Sequence, residues 1–286
     1  MPIAALLHVA GLVFIAMTFV VFGDTAGKLL ILDGTSPMFV AWSRFALGVV
    51  LIFPFSRLRR DELRHFLNWK VVLRAVFISA GICSILTALK TEPIADVFGA
   101  FFIGPVVSYV LAVMFLGESI SRARTMFLML GFVGVVLVVK PGFGATPGIA
   151  FAVLAGCFYG AYLATTRATS GVFRPRFLMI SQLIIGAIIL APVGVPTEWP
   201  PFTPSAVTLV FIGALGSSVG NLILVYTNSI ASATIIAPLV YTQLISATAM
   251  GVLVFGEWPD QIALVGLVVI ACSGFGTLFA IRQSSR

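Results

Sequence analysis

Four ionisable residues stand inside long apolar stretches of this chain: Asp24, Lys28, Arg44 and Asp96. A charge at the centre of a bilayer costs at least about 2.5 to 3.5 kcal/mol, so each such group should face the interior of a helix bundle and have a partner. Asp24 and Lys28 share one helix face at a spacing of four, and Arg44 can reach Asp24 or Asp96 from a neighbouring helix. We predict a polar site or outer gate whose charges meet a substrate or exchange partners. The alternative is a fixed ion network that sets helix register.

The second half of the chain offers neutral polar groups in place of charges, which predicts a central cavity charged on one side and lined by amides on the other. Amides and hydroxyls can bind the edges of a planar heterocycle, and aromatic rings can stack on its faces. With 25 Phe in the chain, any one aromatic ring more often packs or faces lipid. The candidate substrate-binding or gating residues are Asp24, Lys28, Trp42, Arg44, Asp96, Tyr109, Gln182, Asn221, Tyr241 and Gln243.

The elements that must position these residues are transmembrane helices. The chain is 60% hydrophobic and 9% charged, whereas soluble chains are about a quarter charged. Each span needs roughly 20 apolar residues, so 286 residues allow about ten. The apolar runs predict spans at 5–32, 36–56, 70–89, 94–116, 123–140, 148–168, 176–195, 205–228, 233–255 and 261–281. We expect an all-α integral membrane protein that retains its first segment as a helix.

The basic residues predict the orientation, because cytoplasmic loops carry an excess of Lys and Arg. Thirteen of the seventeen flank the even-numbered loops or the carboxyl-terminal tail: Arg57, Arg59, Arg60, Arg64, Lys70, Arg74, Arg122, Arg124, Arg167, Arg174, Arg176, Arg282 and Arg286. Lys28, Lys90 and Lys140 fall on the opposite side, and Arg44 lies within a span. Both termini are therefore expected in the cytoplasm.

The two halves match when one is shifted by 138 to 139 positions. Arg44 then falls on Gln182, and Gly117-Glu118 falls on Gly256-Glu257. Because each half holds about five helices, the second copy must enter the membrane from the opposite side. We predict two inverted five-helix repeats, at 1–141 and 142–286, whose interface holds the site. Each Glu is interpreted as a cap or gate residue at the end of its helix.

Other function classes find little support. The basic residues lie at the ends of apolar segments and not along one polar face, so nucleic acid is not an expected partner. Cys83, Cys157 and Cys272 lack the spacing of a metal or redox site, and no nucleotide-binding loop occurs, so we expect no cofactor and no metal. No nucleophile and base are grouped, which argues against an enzyme. The GxxxG pairs at 156–160 and 216–220 predict close packing within the chain, or alternatively a homodimer.

Two segments, 93–118 and 237–260, resemble the fourth and ninth helices of the EamA family in the drug/metabolite transporter superfamily. Asp24-x-x-x-Lys28, Trp42-x-Arg44 and Tyr241-x-Gln243 are similar to motifs of one branch of that family. The resemblance covers nearly the whole chain. It implies a multi-pass inner-membrane secondary transporter or facilitator whose partners are a small organic substrate and the lipid bilayer.

The resemblance also implies a class of substrate. Similar chains export amino acids or drugs, and others take up riboflavin, S-adenosylmethionine or other metabolites. The branch looks most like the riboflavin-uptake members, so riboflavin uptake is the specific prediction. The alternative is a carrier or exporter of amino acids or metabolites, including S-adenosylmethionine-like ones, and a more distant one is a channel or non-transporting scaffold. Direction, and proton coupling through Asp24 or Asp96, stay open.

Overall fold

The computed structural model describes residues 3–92, 94–139, 146–256, 258 and 260–283, and within them the chain forms helices and no strand. The α-helices are α1 (Ile3–Leu32), α2 (Pro37–Ser56), α3 (Trp69–Thr91), α4 (Ile94–Phe101), α5 (Ile103–Leu116), α6 (Arg122–Val139), α7 (Pro147–Ser170), α8 (Pro175–Gly194), α9 (Pro204–Ile230), α10 (Ala233–Val240), α11 (Gln243–Met250) and α12 (Gln261–Gln283). A 3-10 helix, Arg60–Leu67, precedes α3, and a π-helical turn, Gly251–Phe255, follows α11.

Eight apolar helical segments of the described chain are long enough to cross a bilayer. They are α1, α2, α3, α7, α8 and α9, together with the composite segments Val97–Leu116 and Ala233–Phe255. This confirms a multi-pass, all-helical membrane protein. The predicted count of about ten also needs α6 and α12 to span the membrane, which stays a prediction.

Helix starts are set by short polar caps followed by proline. Ser36, Thr146 and Thr203 each accept a backbone N–H of the first turn through their side chains, and each is followed by Pro, which favours the first helical turn. At the other end of a helix, Gly117 and Gly256 adopt φ of 64° and 69°, a left-handed conformation that glycine reaches without a steric penalty. These signals explain why the predicted spans agree with the helices to within a few residues.

Two predicted spans are each divided into shorter helices. The span 94–116 breaks at Phe102, between α4 and α5, and the span 233–255 breaks at Tyr241 and Thr242, between α10 and α11. Thr242 and Leu244 donate their N–H groups to Leu239 and Tyr241 in three-residue turns, which tightens the backbone there. The two predicted spans are present, at Val97–Leu116 and Ala233–Phe255, and the sequence analysis did not foresee the interruption within each.

The helices pack mainly against partners from the other half of the chain. The most extensive pairs are α1 with α9, α3 with α7, α6 with α12 and α2 with α8. Glycine permits the closest approaches: a Cβ on Gly216 would lie 2.6 Å from the Phe19 carbonyl of α1, and one on Gly220 would lie 2.7 Å from the Ala16 carbonyl. The GxxxG pair of α9 therefore packs within the chain, as does that of α7, whose Gly156 and Gly160 face α4 and α5.

Candidate functional site

The central feature of the bundle is a buried ion pair between α1 and α2. Arg44 donates through one terminal nitrogen to the Asp24 carboxylate at 2.6 Å and through the other to the Gly23 carbonyl at 2.7 Å. Both side chains are buried. Gly27, one turn beyond Gly23, has no side chain because a Cβ there would collide with the guanidinium. The Nε of Arg44 has no hydrogen-bond partner among the described residues, so one donor is left for another group.

A small cavity lies beside this ion pair. Its free volume of about 40 Å3 holds about three water molecules. Its described lining is Val20, Asp24, Arg44, Ile78, Gly81, Ile82, Ile85, Phe101, Tyr159, Ser217, Asn221 and Gln243. The rings of Phe101 and Tyr159 lie 5.1 Å apart on one side, and the Oε1 of Gln243 has no hydrogen-bond partner among the described residues.

A second, smaller cavity continues from the first. Arg44, Ile82, Ser217 and Asn221 line both, and Gln182 joins them in the second. The structure therefore brings five predicted residues together, namely Asp24, Arg44, Gln182, Asn221 and Gln243. Charge lies on the α1 and α2 side, and amides come from α8, α9 and α11. The resulting surface can bind a molecule with an anionic group, hydrogen-bonding edges and a flat or cationic part.

Four other predicted residues are described, and none of them lines these cavities. Lys28 is buried with its ammonium 5.5 Å from the Phe255 ring centre. Trp42 packs against Phe39 and Trp199, with centroids 5.9 and 6.0 Å away. The Tyr109 hydroxyl lies 2.7 Å from that of Thr125.

Tyr241 is buried with its ring centre 5.6 Å from that of Phe102, and its hydroxyl has no partner in the described part of the chain. Asp96 lies on α4, but its side chain is outside the described residues, as are Glu257 and Lys140. Glu118 caps a helix other than its own, because its carboxylate accepts the N–H groups of Ala233 and Thr234 at the start of α10. Its role as a gate stays a prediction.

A second buried guanidinium, Arg74, was counted from the sequence as a loop-flanking residue, and that placement was wrong. Arg74 lies in the second turn of α3 and is fully buried. It donates to the Thr166 hydroxyl at 2.7 Å, to the Leu178 carbonyl at 2.7 Å and to the Tyr162 hydroxyl at 3.1 Å. Its partners thus come from α7 and α8, more than 80 residues later in the sequence.

Tyr162 connects Arg74 to the cavity lining. Its hydroxyl lies 3.0 Å from the Oε1 of Gln182 and 3.3 Å from the Oδ1 of Asn221. A phenol has one proton to donate, so it can serve one of these two acceptors at a time. Sequence reasoning also missed Tyr162. The available signal was the 138-residue offset, which aligns Tyr162 with Asp24 as it aligns Gln182 with Arg44.

The site is built for binding. Among the described residues, no three His, Cys, Asp or Glu side chains lie close enough together to hold a metal ion. Aliphatic side chains make up part of the lining, and the others are amides, hydroxyls, aromatic rings and one ion pair, which are the groups that orient a small molecule.

Comparison with known proteins assigns the fold to a family. The sequence profile of the EamA-like transporter family matches residues 8–140 and matches again at 146–279. The chain belongs to the EamA-like transporter family. This membership identifies it as a membrane transporter and not an enzyme, and it confirms the family that the sequence motifs indicated.

Relatives within and beyond the family show how far the likeness extends. The chain is 31% identical over 259 residues to an S-adenosylmethionine uptake transporter of Rickettsia felis, covering 86% of this chain and 83% of the relative. It is 23% identical over 251 residues to a riboflavin transporter of Rhizobium johnstonii, covering 86% and 81%. A crystal structure of a protein with 16% identity superposes with a TM-score of 0.75 over 93% of this chain and 98% of the other, which supports the fold.

Proposed function

We propose that this chain is an inner-membrane carrier for a small zwitterionic or cationic metabolite of the S-adenosylmethionine type. The observation that carries the proposal is the buried cavity at which the Asp24–Arg44 pair meets Phe101, Tyr159, Asn221 and Gln243. The S-adenosylmethionine uptake transporters among the relatives point to the same ligand class.

The chemistry of S-adenosylmethionine fits these groups one by one. Its carboxylate can accept from the Nε of Arg44, which is without a partner among the described residues. Its sulfonium is attracted by the faces of Phe101 and Tyr159, as cations are by aromatic rings. Its adenine edge and ammonium can bind the amides of Asn221 and Gln243.

The cavity must enlarge before such a molecule can enter. Ligand sites of this kind occupy roughly 300 to 1,000 Å3, and the free volume here is about 40 Å3. The helices around the cavity therefore have to separate at one face and then at the other. We propose that the chain does so as ten spans in two inverted repeats, 1–141 and 142–286, with both termini in the cytoplasm. The pairing of α1 with α9 and of α3 with α7, and the repeated family match, support this architecture.

The membrane potential is a sufficient driving force for such a substrate. S-adenosylmethionine carries a net positive charge near neutral pH, and one elementary charge gains about 2.3 kcal/mol per 100 mV. This corresponds to about 50-fold accumulation on the negative side without a coupled proton. An inside-negative potassium diffusion potential should therefore speed uptake into proteoliposomes, and proton coupling through Asp24 would instead make uptake follow a pH gradient.

Counterflow in proteoliposomes tests the substrate. Liposomes preloaded with unlabelled S-adenosylmethionine should take up labelled S-adenosylmethionine with saturable kinetics, and S-adenosylhomocysteine, which lacks the sulfonium charge, should compete less well. Competition by riboflavin alone would favour the second candidate, riboflavin, which is supported by the riboflavin transporter among the relatives and by the aromatic rings of Phe101 and Tyr159 in the cavity wall. Flux that does not saturate would indicate a channel.

S-adenosylmethionine has a carboxylate and riboflavin has none. The ring carbonyls of riboflavin are neutral acceptors, which bind the Nε of Arg44 less strongly than a carboxylate does. An Arg44→Lys variant, which keeps the charge but loses the planar guanidinium, should therefore weaken S-adenosylmethionine counterflow much more than riboflavin counterflow. Equal loss for both substrates would contradict the assignment of Arg44 to the carboxylate.

A further inference from the structure

We propose that Arg74 and Tyr162 form a latch that closes the cavity towards one face of the membrane and that substrate opens by competing for Gln182. This inference rests on the transport function proposed above, but it does not depend on which metabolite is carried. We call the closed face the Arg174 end, defined as the end of the bundle at which α2 and α7 end and α3 and α8 begin.

The position of Arg74 separates the cavity from the Arg174 end. Along α3, Arg74 comes one turn before Ile78, which lines the cavity, and along α7 its partner Thr166 comes after the cavity-lining Tyr159. The Arg74 guanidinium joins three helices at this level through Thr166 and Tyr162 of α7 and the Leu178 carbonyl of α8. Opening the cavity at this end has to separate these helices.

The bonding of Arg74 differs from that of a structural ion pair. Its partners are two hydroxyls and a carbonyl, and its guanidinium carbon lies 4.9 Å from the Tyr162 ring centre. A bond from the guanidinium to a neutral oxygen is weaker than a bond to a carboxylate, so one such partner can be exchanged at lower cost than an ion pair can be broken. Among the described residues the Arg74 cation is held by neutral groups, which suits a contact whose bonds are exchanged one at a time in every cycle.

Tyr162 supplies the connection to substrate. Its single hydroxyl proton is shared between Gln182 and Asn221, both of which line the second cavity. The Oε1 of Gln182 has two lone pairs, and a substrate N–H that takes the one facing Tyr162 displaces the hydroxyl. The hydroxyl then loses its bond to α8, and one of the ties between α7 and α8 is released. The expected ligand class is therefore one that presents N–H donors, such as an ammonium or an aminoheterocycle.

Cysteine labelling measures the latch without transport. The reporter is Ile82→Cys, because Ile82 lines both cavities, in a full-length chain whose native cysteines are replaced (Cys83→Ser, Cys157→Ser, Cys272→Ser). A membrane-impermeant maleimide is applied from either face in vesicles of the two orientations. In the parent chain, labelling from the Arg174 end should be slow.

Tyr162→Phe removes the hydroxyl that accepts from Arg74 and donates to Gln182, and it should raise the labelling rate from the Arg174 end at least about fivefold, the shift in an opening equilibrium that the loss of a single hydrogen bond produces. Arg74→Lys should raise it as well. The matched controls are Tyr226→Phe and Arg176→Lys, which change exposed residues of α9 and α8. The latch is refuted if Tyr162→Phe labels like its control, even when its melting temperature falls. If Arg74→Lys does not accumulate as folded protein, the labelling rate of Tyr162→Phe alone tests the latch.

Adding S-adenosylmethionine separates the latch from the substrate. It should raise labelling of the parent from the Arg174 end and leave Tyr162→Phe unchanged. If Tyr162→Phe labels faster but S-adenosylmethionine has no effect on the parent, the latch stands and the substrate assignment fails. If S-adenosylmethionine raises labelling equally in the parent and in Tyr162→Phe, substrate does not act through the hydroxyl and the latch proposal is overturned.

Discussion

The two halves of the bundle carry different chemical groups at aligned positions. In the first half, Asp24 and Arg44 form an ion pair at 2.6 Å. At the aligned positions of the second half, Tyr162 and Gln182 form a neutral hydrogen bond at 3.0 Å. Positive charge reaches the second site from Arg74 of α3. The Asp24–Arg44 salt bridge is therefore formed within the first half, whereas the cation beside Tyr162 and Gln182 comes from the opposite half.

This difference indicates that the two pairs have different roles in transport. A buried salt bridge is costly to break, since separation leaves an uncompensated charge. In the cluster around Tyr162, Arg74 keeps its bonds to Thr166 and Leu178 when the bond between Tyr162 and Gln182 is exchanged, so less is lost. The Asp24–Arg44 pair is thus suited to meeting the charged part of a substrate, and the Tyr162–Gln182 pair is suited to opening and closing.

The largest expected effect comes from Arg44→Ala, which breaks the charged site. It leaves Asp24 buried without its partner, at a cost of about 3 to 5 kcal/mol, and it removes the proposed carboxylate ligand. Counterflow of S-adenosylmethionine in proteoliposomes with matched protein amounts should fall at least about 100-fold.

The double variant Asp24→Asn with Arg44→Gln separates stability from transport. It replaces the ion pair with a neutral pair, as Tyr162 and Gln182 form at the aligned positions. Compared with Arg44→Ala, the protein should therefore regain much of its melting temperature while counterflow stays low. Normal counterflow by the double variant would mean that the ion pair only fixes helix register.

An intermediate effect is expected from two glycines of α9. The offset of 139 aligns Gly213 with Arg74, and a Cβ on Gly213 would meet nothing closer than 3.8 Å. Gly213→Ala should therefore stabilise the helix by up to about 1 kcal/mol. A Cβ on Gly216 would lie 2.6 Å from the Phe19 carbonyl, so Gly216→Ala should destabilise by about 1 to 3 kcal/mol. Thermal unfolding in detergent compares the two, and a loss of the same size in both would contradict the close packing of α1 on α9.

The smallest effect concerns an ion pair at the Arg174 end, between Glu62 of the 3-10 helix Arg60–Leu67 and Arg174, which directly precedes α8. Arg174 donates to both oxygens of Glu62 at 2.6 and 2.7 Å. These hydrogen bonds hold the pKa of the Glu62 carboxyl below its usual range, although partial burial opposes them. Stability from this pair is present above the usual Glu pKa of about 4.3 and is lost as pH falls through the lowered value.

Melting temperatures measured against pH test this rim pair. Glu62→Gln should melt slightly below the parent at pH 7, and the difference should shrink as pH falls below the usual Glu pKa of about 4.3 and vanish once pH is below the lowered pKa of Glu62. Glu198→Gln, a change of an exposed acid in another loop, serves as the control. A difference that persists at low pH would show that Glu62 acts through packing and not through its charge.

The sequence predicted the elements better than the contacts. Proline, glycine and short polar caps mark most helix ends, so the spans and the family could be derived from local patterns. The break at Phe102 was missed because the residues around it continue the apolar run, although Gly104-Pro105 directly beyond it is a signal for such a break. Arg74 was misplaced for a related reason: five residues into a helix is within reach of the interface for a long basic side chain, and the chain that covers it lies 88 to 104 residues further on.

That separation along the chain has a consequence for biosynthesis. Asp24 and Arg44 are 20 residues apart, so their charges can pair as soon as the second helix enters the bilayer. Arg74 is inserted long before Thr166, Tyr162 and Leu178 have been translated. We expect α3 to be held at the interface or by the translocon, with its arginine turned towards water, until α7 and α8 are inserted and bind it within the bundle.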